Sequence, residues 1–328
     1  PRLQALITTA LEQNRDLRMA ALRIEEARAL YDIQSADRLP IVNGNMSGAR
    51  ARTPVSLSST GNPVVSSNYQ VGLSLASFEL DFFGRVRSLN EAALAQYLAT
   101  EHARQAAQMS LIAEVAKAYL TERALAEQFE LAKKTLEGRQ ATYQFTQQRF
   151  DAGASSALDV RLSETLMLSA RTSLSAFERQ RAQAANALTL LVGKPLNDFP
   201  HARSFSEQQL ATDLSAGLPS DLLSNRPDIQ AAEQRLKATN ANIGAARAAF
   251  FPRIALTSSI GTASNALSGL FETGSRSWTF APQLTLPIFD AGRNNANLTL
   301  AQVRNNIAVA DYEKSIQVAF REVADTLA

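Results

Sequence analysis

The sequence predicts a mainly α-helical chain built as a tandem repeat, with long antiparallel helices and four β-strands belonging to a membrane β-barrel. Three observations predict it. The first is an internal repeat. Asp16, Arg23, Ala36 and Pro40 recur as Asp228, Arg235, Ala248 and Pro252, every pair separated by the same 212 positions, as from Pro40 to Pro252. Further on, Phe82-Phe83-Gly84-Arg85 answers to Asp290-Ala291-Gly292-Arg293, and Glu114-Val115-Ala116 recurs as Glu322-Val323-Ala324, at 208 positions, as from Gly84 to Gly292. Self-similarity on this scale decides the fold before local propensity does. The second is a proline-free, alanine-rich stretch over about residues 88–137. Some 50 helical residues at 1.5 Å each reach roughly 75 Å, more than the diameter of an ordinary domain. The third is a set of four segments that alternate apolar and polar residues, with Pro or Gly at their borders.

The first repeat covers residues 1–197. Leu3, Ile7, Leu11, Leu17, Ala20, Ile24, Ala27 and Tyr31 recur at helical spacing, so residues from about Leu3 to Leu39 are expected to be helical, with Asn14-Arg15 opening a helix that Pro40 ends. A weak strand follows over about 41–52, then a Ser-, Pro- and Gly-rich loop to 67, then a clear strand over 68–81. Tyr69, Val71, Leu73 and Leu75 lie on one face of that strand, and Gln70, Gly72, Ser74 and Ala76 on the other. Phe78 and Leu80 break this parity, which a bulge would explain. Gly84 suits a turn to the long helix, about 88–150, with a local irregularity expected at Gly138. Ala152-Gly153-Ala154 reverses the chain into a second helix over about 157–191. Residues 198–220, with Pro200, Gly217 and Pro219, read as an irregular equatorial segment. The second repeat, 221–328, carries a helix up to Pro252, strands over about 253–262 and 277–289 joined by a polar loop, and a helix from about Arg293.

Composition excludes several classes. The chain is 45% hydrophobic and 20% charged, and its 33 basic and 31 acidic residues leave a net charge of +2. No Lys/Arg run marks a nucleic-acid surface. Cysteine is absent, which removes disulfides, thiolate chemistry and Cys-ligated metals. The two histidines, His102 and His201, are far apart and fit surface or packing positions better than a metal site. Gly193-Lys194 lacks the upstream glycine of a phosphate loop and is followed by Pro195. Neither an enzyme nor a cofactor is expected. No apolar run approaches the ~18–20 residues of a membrane helix, but barrel strands escape such a scan because only every second residue is apolar.

The strands supply the site candidates. Tyr69, Val71, Leu73 and Leu75, with Trp278, Leu284 and Leu286, are expected to face lipid. Tyr69 and Trp278 begin strands two and four, and Phe82, Phe83, Phe250, Phe251 and Phe289 sit at the other strand ends, as two interfacial aromatic belts would. Arg50, Arg52, Glu79, Asp81 and Arg253 would be costly in lipid, which points to a watery lumen or its rim, or equally to solvated strand ends. Pro40, Gly84, Pro252 and Gly292 mark the corners between strands and helices. On this parity Leu73→Arg should be costly and polar replacement of Gly72 or Ser74 mild. The alternative, a soluble α-helical interaction protein with small hairpins, leaves the paired strands and their aromatic ends unexplained.

Asn225-Arg226-Pro227-Asp228-Ile229, Ala232-Glu233 and Ala249-Phe250-Phe251-Pro252 carry a family resemblance. So do Asp81 to Arg85, Arg149-Phe150 with Gly153, Ser156 and Leu158-Asp159-Val160, and Leu190 to Pro195. In this order, over essentially the whole chain, they resemble the TolC-like outer-membrane efflux channels, in the lipoprotein branch that serves drug exporters. The resemblance implies the exit channel of a tripartite pump, passively conducting drugs or other small molecules across periplasm and outer membrane. It implies a periplasmic adaptor (membrane-fusion) protein and an inner-membrane efflux transporter as partners, with outer-membrane lipid around the strands. It implies a homotrimer. Four strands cannot close a barrel, since the smallest single-chain barrels use eight and an open edge in lipid leaves backbone groups unpaired, whereas three copies supply twelve. Arg149, Phe150, Asp151, Gly153, Ser156 and Asp159 fall on the family's adaptor-docking hairpin. Members carry a lipidated Cys near the mature N-terminus and a second helical hairpin. Neither occurs here, so the anchor is expected to lie outside this sequence or never to have been present, and the second repeat is expected to be truncated.

Overall fold

A computed structural model describes residues 2–59, 61–200 and 225–327. The expected equatorial segment beyond residue 200, with His201, lies outside the described residues. In chain order the regular elements are α1 (Arg2–Gln13), α2 (Arg15–Ala36), β1 (Val42–Thr53), β2 (Val64–Leu80), α3 (Arg85–Asp151) and α4 (Ala157–Val192), then α5 (Pro227–Ala248), β3 (Arg253–Ser264), β4 (Arg276–Thr285) and α6 (Arg293–Leu327). The repeat is visible in their lengths. α2 and α5 each have 22 residues, and β1 and β3 each have 12. α3 and α6 each open directly after a glycine in the left-handed region, Gly84 at φ 76 and Gly292 at φ 83, a conformation that costs glycine no steric strain.

The first helical stretch is broken at Asn14. Asn14 is 5% exposed; its side-chain oxygen accepts the Leu17 N–H at 2.9 Å, and its amide donates to the Leu191 carbonyl at 2.9 Å. The side chain thus caps α2 and ties the break to the end of α4. The break lets α1 seat Leu6 and Ala10 against Leu111, Val115, Tyr119, Leu188 and Val192. Gly138 causes no irregularity: α3 runs through it for 67 residues, and the Gly138 carbonyl accepts the Thr142 hydroxyl at 2.9 Å.

The chain forms two compact units, each drawing residues from both repeats. The first comprises Pro1–Ile24, Glu101–Asp228 and Phe320–Ala328. It holds the core just described and the hairpin of α3 and α4. The part of α3 within it, Glu101 to Asp151, extends about 75 Å at 1.5 Å per residue. Arg226 joins the start of α5 to the end of α6, donating to Asp228 and to Glu322 at 2.6 Å each. The second unit, Glu25–Thr100 and Ile229–Ala319, contains the sheet. Its four strands are antiparallel in the order β1-β2-β3-β4, so β2 and β3 join the repeats. Both interstrand loops lie at one end of the sheet, and the connections to α2, α3, α5 and α6 lie at the other.

Candidate functional site

The pairing register sorts the strand residues onto two chemically different faces. Directly paired residues share a face. Gly44, Leu73, Ile260 and Trp278 form one row, and Val42, Leu75, Ser258 and Phe280 the next. Met46, Tyr69, Val71 and Leu284 lie on the same face. Met46 is 77% exposed and Trp278 73%. The opposite face carries Asn43, Asn45 and Ser47, then Gln70, Gly72 and Ser74, then Thr257, Ser259 and Gly261, then Thr279 and Gln283. There the Asn45 amide donates to the Ser74 hydroxyl.

A bulge keeps the faces separate. Leu75 pairs with Ser258, but Phe78 pairs with Leu256, so β2 holds one residue more than β3 between these rows. Ser77 takes φ 50 there, and its N–H donates to the Thr257 hydroxyl at 3.3 Å. Phe78 and Leu80 thereby rejoin the apolar face, with Leu256 and Ile254, and Glu79 joins the polar one. Glu79, its side chain 10% exposed, receives Nε and Nη2 of Arg85 at 2.8 and 2.7 Å and Nε of Arg253 at 2.7 Å. This bidentate pair fixes the helix-side end of the polar face to the start of α3.

Gly72 and Gly261 face each other across β2 and β3. A Cβ on Gly72 would stand 2.5 Å from the Ile260 carbonyl oxygen, and one on Gly261 would stand 2.2 Å from that of Val71. The strands approach as only glycine permits. This corrects the expectation that Gly72 tolerates a polar side chain: face polarity is satisfied, but there is no room.

Other candidates take definite places. Arg50 and Arg52 pair with Ser67 and Val65, which puts them on the apolar face near the loops, whereas Arg253 shares the polar face with Glu79. Arg276, which the sequence reading passed over, lies on the apolar face beside Thr262; its parity with Trp278 was the available signal. Leu286 falls beyond the end of β4. Asp81 caps α3, accepting the Arg87 N–H at 2.7 Å. Pro40 and Pro252 stand just before β1 and β3. Phe83 and Phe251 stack at 4.9 Å between ring centroids, at the helix-side end of the sheet.

β1 and β4 pair with a strand on one side only. Each therefore presents a row of backbone donors and acceptors along its free edge, a template for another chain. Among the described residues no helix is long and apolar enough to cross a membrane, and no group of three His, Cys, Asp or Glu side chains is arranged to hold a metal.

The α3–α4 hairpin has a fully hydrogen-bonded tip. The Gly153 N–H donates to the Phe150 carbonyl at 2.8 Å and the Ala154 N–H to that of Arg149 at 2.7 Å, with Gly153 at φ 74. This is a Schellman-type stop. Ser156 and Asp159 form a reciprocal capping box at the start of α4, with backbone-to-side-chain distances of 3.0 and 3.2 Å. Hydrogen bonds from Ser156 hold the Asp159 carboxyl below the usual carboxylate range. Arg149 lies over the Phe145 ring and donates to the Ala154 carbonyl, and Asp151 accepts from Gln147. Phe150 and Leu158 are left exposed.

The family described as "Outer membrane efflux protein" matches residues 6–194 and 218–328. Outer membrane protein OprJ of Pseudomonas aeruginosa is 52% identical over 329 residues, which cover 99% of this chain and 68% of that protein. The crystal structure of a membrane protein from Pseudomonas aeruginosa superposes with a TM-score of 0.94 at 51% identity, covering 100% of this chain and 76% of that one. The open state of the Neisseria gonorrhoeae MtrE outer membrane channel does so at 0.87 and 46%, covering 100% and 72%. The architecture is thus mainly α, with a helical tunnel and four strands contributed to a trimeric twelve-stranded barrel in the outer membrane. By the family match over most of its length and its identity to these relatives, the chain belongs to the outer membrane efflux protein family.

Proposed function

We infer that this protein is the outer-membrane exit channel of a tripartite efflux pump and that it passively conducts drugs or other small molecules. The observation that carries the reading is the sorting of one open-edged sheet into an apolar and a polar face. The apolar face meets lipid, and the free edges pair with neighbouring copies, since unpaired backbone groups are not tolerated in hydrocarbon. The polar face lines a water-filled lumen, its wall largely Asn, Gln, Ser and Thr, with Glu79, Arg85 and Arg253 at the helix-side rim. Such a wall offers hydrogen bonds without a fixed charge pattern, which suits cargo of mixed chemistry. The interstrand loops, 54–63 and 265–275, lie outside the cell and the helices in the periplasm. Energy comes from an inner-membrane transporter, reached through a periplasmic adaptor that docks on the tip from Arg149 to Asp159. Exposed Phe150 and Leu158 beside a rigidly capped turn support that docking.

Residues 1–328 contain no cysteine, which allows a direct test. Single cysteines at Gln70 and Ser74 should react with a water-soluble thiosulfonate and lower the conductance of trimers in a planar bilayer. Cysteines at Val71 and Leu73 should stay unreactive. Equal reaction at all four positions would refute the assignment of faces.

A further inference from the structure

The charged side chains on the apolar face of the sheet are all arginines, and all stand at the loop end. Arg50 and Arg52 project from β1 beside Ser67 and Val65, and Arg276 projects from the first position of β4. The helix-side end of the same face carries Val42, Leu80, Ile254 and Leu284 instead. The one carboxylate within the strands, Glu79, is on the other face and already held by Arg85 and Arg253. Among the described residues none of the three arginines has a salt-bridge partner.

Tyr69 adds a second, independent observation. Its ring leans over Gly48, with ring atoms 3.1 and 3.3 Å from where a Cβ would stand. Arg50 is the next residue of β1 on that face. Towards the loops, the face therefore runs from aliphatic side chains to a phenol to guanidiniums. A bilayer presents acyl chain, interface and headgroup phosphate in that same order. A guanidinium on the lipid face is costly at the midplane but nearly free at the interface, and its fork matches a phosphate in a bidentate way.

We propose that Arg50 and Arg52 form a binding site for the phosphate groups of an anionic lipid in the outer leaflet. Arg276 completes the site from the opposite edge strand, which barrel closure brings against the β1 edge of the next copy. Each seam of the trimer then carries one lipid site, outside the conducting lumen. The proposal rests on the reading of the apolar face as lipid-facing and names what binds at its outer margin.

The test uses the whole trimer in nanodiscs of phosphatidylcholine doped with diphosphoryl lipid A, followed by re-extraction in mild detergent and native mass spectrometry. Insertion of the trimer reports separately on the lipid-facing reading. The wild-type protein should retain lipid A over phosphatidylcholine, and less of it as monophosphoryl lipid A or at high salt. The double variant R50Q/R52Q should lose roughly thirtyfold in retention, from about one kcal/mol of phosphate attraction for each of its two arginines. R276Q should lose less. R50K/R52K, which keeps the charges but loses the fork, should fall between wild type and R50Q/R52Q, and R321Q, on α6, should be unchanged. Equal retention by R50Q/R52Q and wild type would overturn the proposal, as would wild-type indifference to the number of lipid phosphates. Displacement of the lipid by an equal concentration of inorganic phosphate would also overturn it, by marking a site for the free ion.

Discussion

Gly72→Ala should destabilise the trimer although the new methyl group points into a watery lumen. The added Cβ would lie 2.5 Å from the Ile260 carbonyl oxygen and 2.9 Å from Gly261 Cα. Ordinary contact begins near 3.4 Å, so β2 and β3 must separate by most of an ångström. Both clashing atoms are backbone, so no rotamer change relieves them. Overpacking of this kind costs about 1–3 kcal/mol per site, and threefold symmetry repeats it in every copy. Gly44→Ala is the control: nothing lies within 4 Å of its Cβ, and a freely accommodated alanine stabilises by about 0.4–1 kcal/mol through the unfolded chain. Leu73→Arg, on the lipid face of the same strand, should cost about 2–4 kcal/mol near the midplane. Guanidinium unfolding of the protein in vesicles, read from Trp278 fluorescence, should therefore rank Gly72→Ala with Leu73→Arg and well below Gly44→Ala. If Gly72→Ala is as stable as Gly44→Ala, the close approach of β2 and β3 is wrong.

Two other predictions concern the first unit. Arg226→Met removes the donor shared by Asp228 and Glu322, whose side chains are 35% and 50% exposed. At surface discount the loss should be about 1–2 kcal/mol, seen as a lower thermal midpoint, and Arg226→Lys should restore less than half because an ammonium cannot grip Asp228 bidentately. At the tip, the Asp159 carboxyl is held below its ordinary range by Ser156. Its contribution to the start of α4 is therefore full above the ordinary carboxylate pKa and is lost as pH falls through the lowered one. Hydrogen exchange at the first turn of α4 should quicken over that acidic window, and Asp159→Asn should be fast already at neutral pH and flat across it; an unchanged profile in Asp159→Asn would remove the capping box from the account.

Much of this protein can be read along the chain. The repeat at 212 and 208 positions foretells the matched pairs α2/α5 and β1/β3, and the glycine-led starts of α3 and α6. Gly153, Ser156 and Asp159 announce the tip, because a helix stop and a capping box are made by residues a few positions apart. The alternation from Tyr69 to Leu75 marks a two-faced strand, because side-chain direction in a strand has period two. What the chain alone could not settle is what lies opposite. β1 has almost no apolar signal of its own, with Gly44 and Gly48 where large residues would show, so the side taken by Arg50 and Arg52 follows only from pairing with β2. Leu73 meets Ile260, and Gly72 meets Gly261, across most of the chain's length. The contact that breaks the first helix at Asn14 likewise comes from Leu191. Period and local turn chemistry are properties of neighbouring residues, whereas register, close approach and capping by a distant carbonyl exist only once the chain has brought remote segments together.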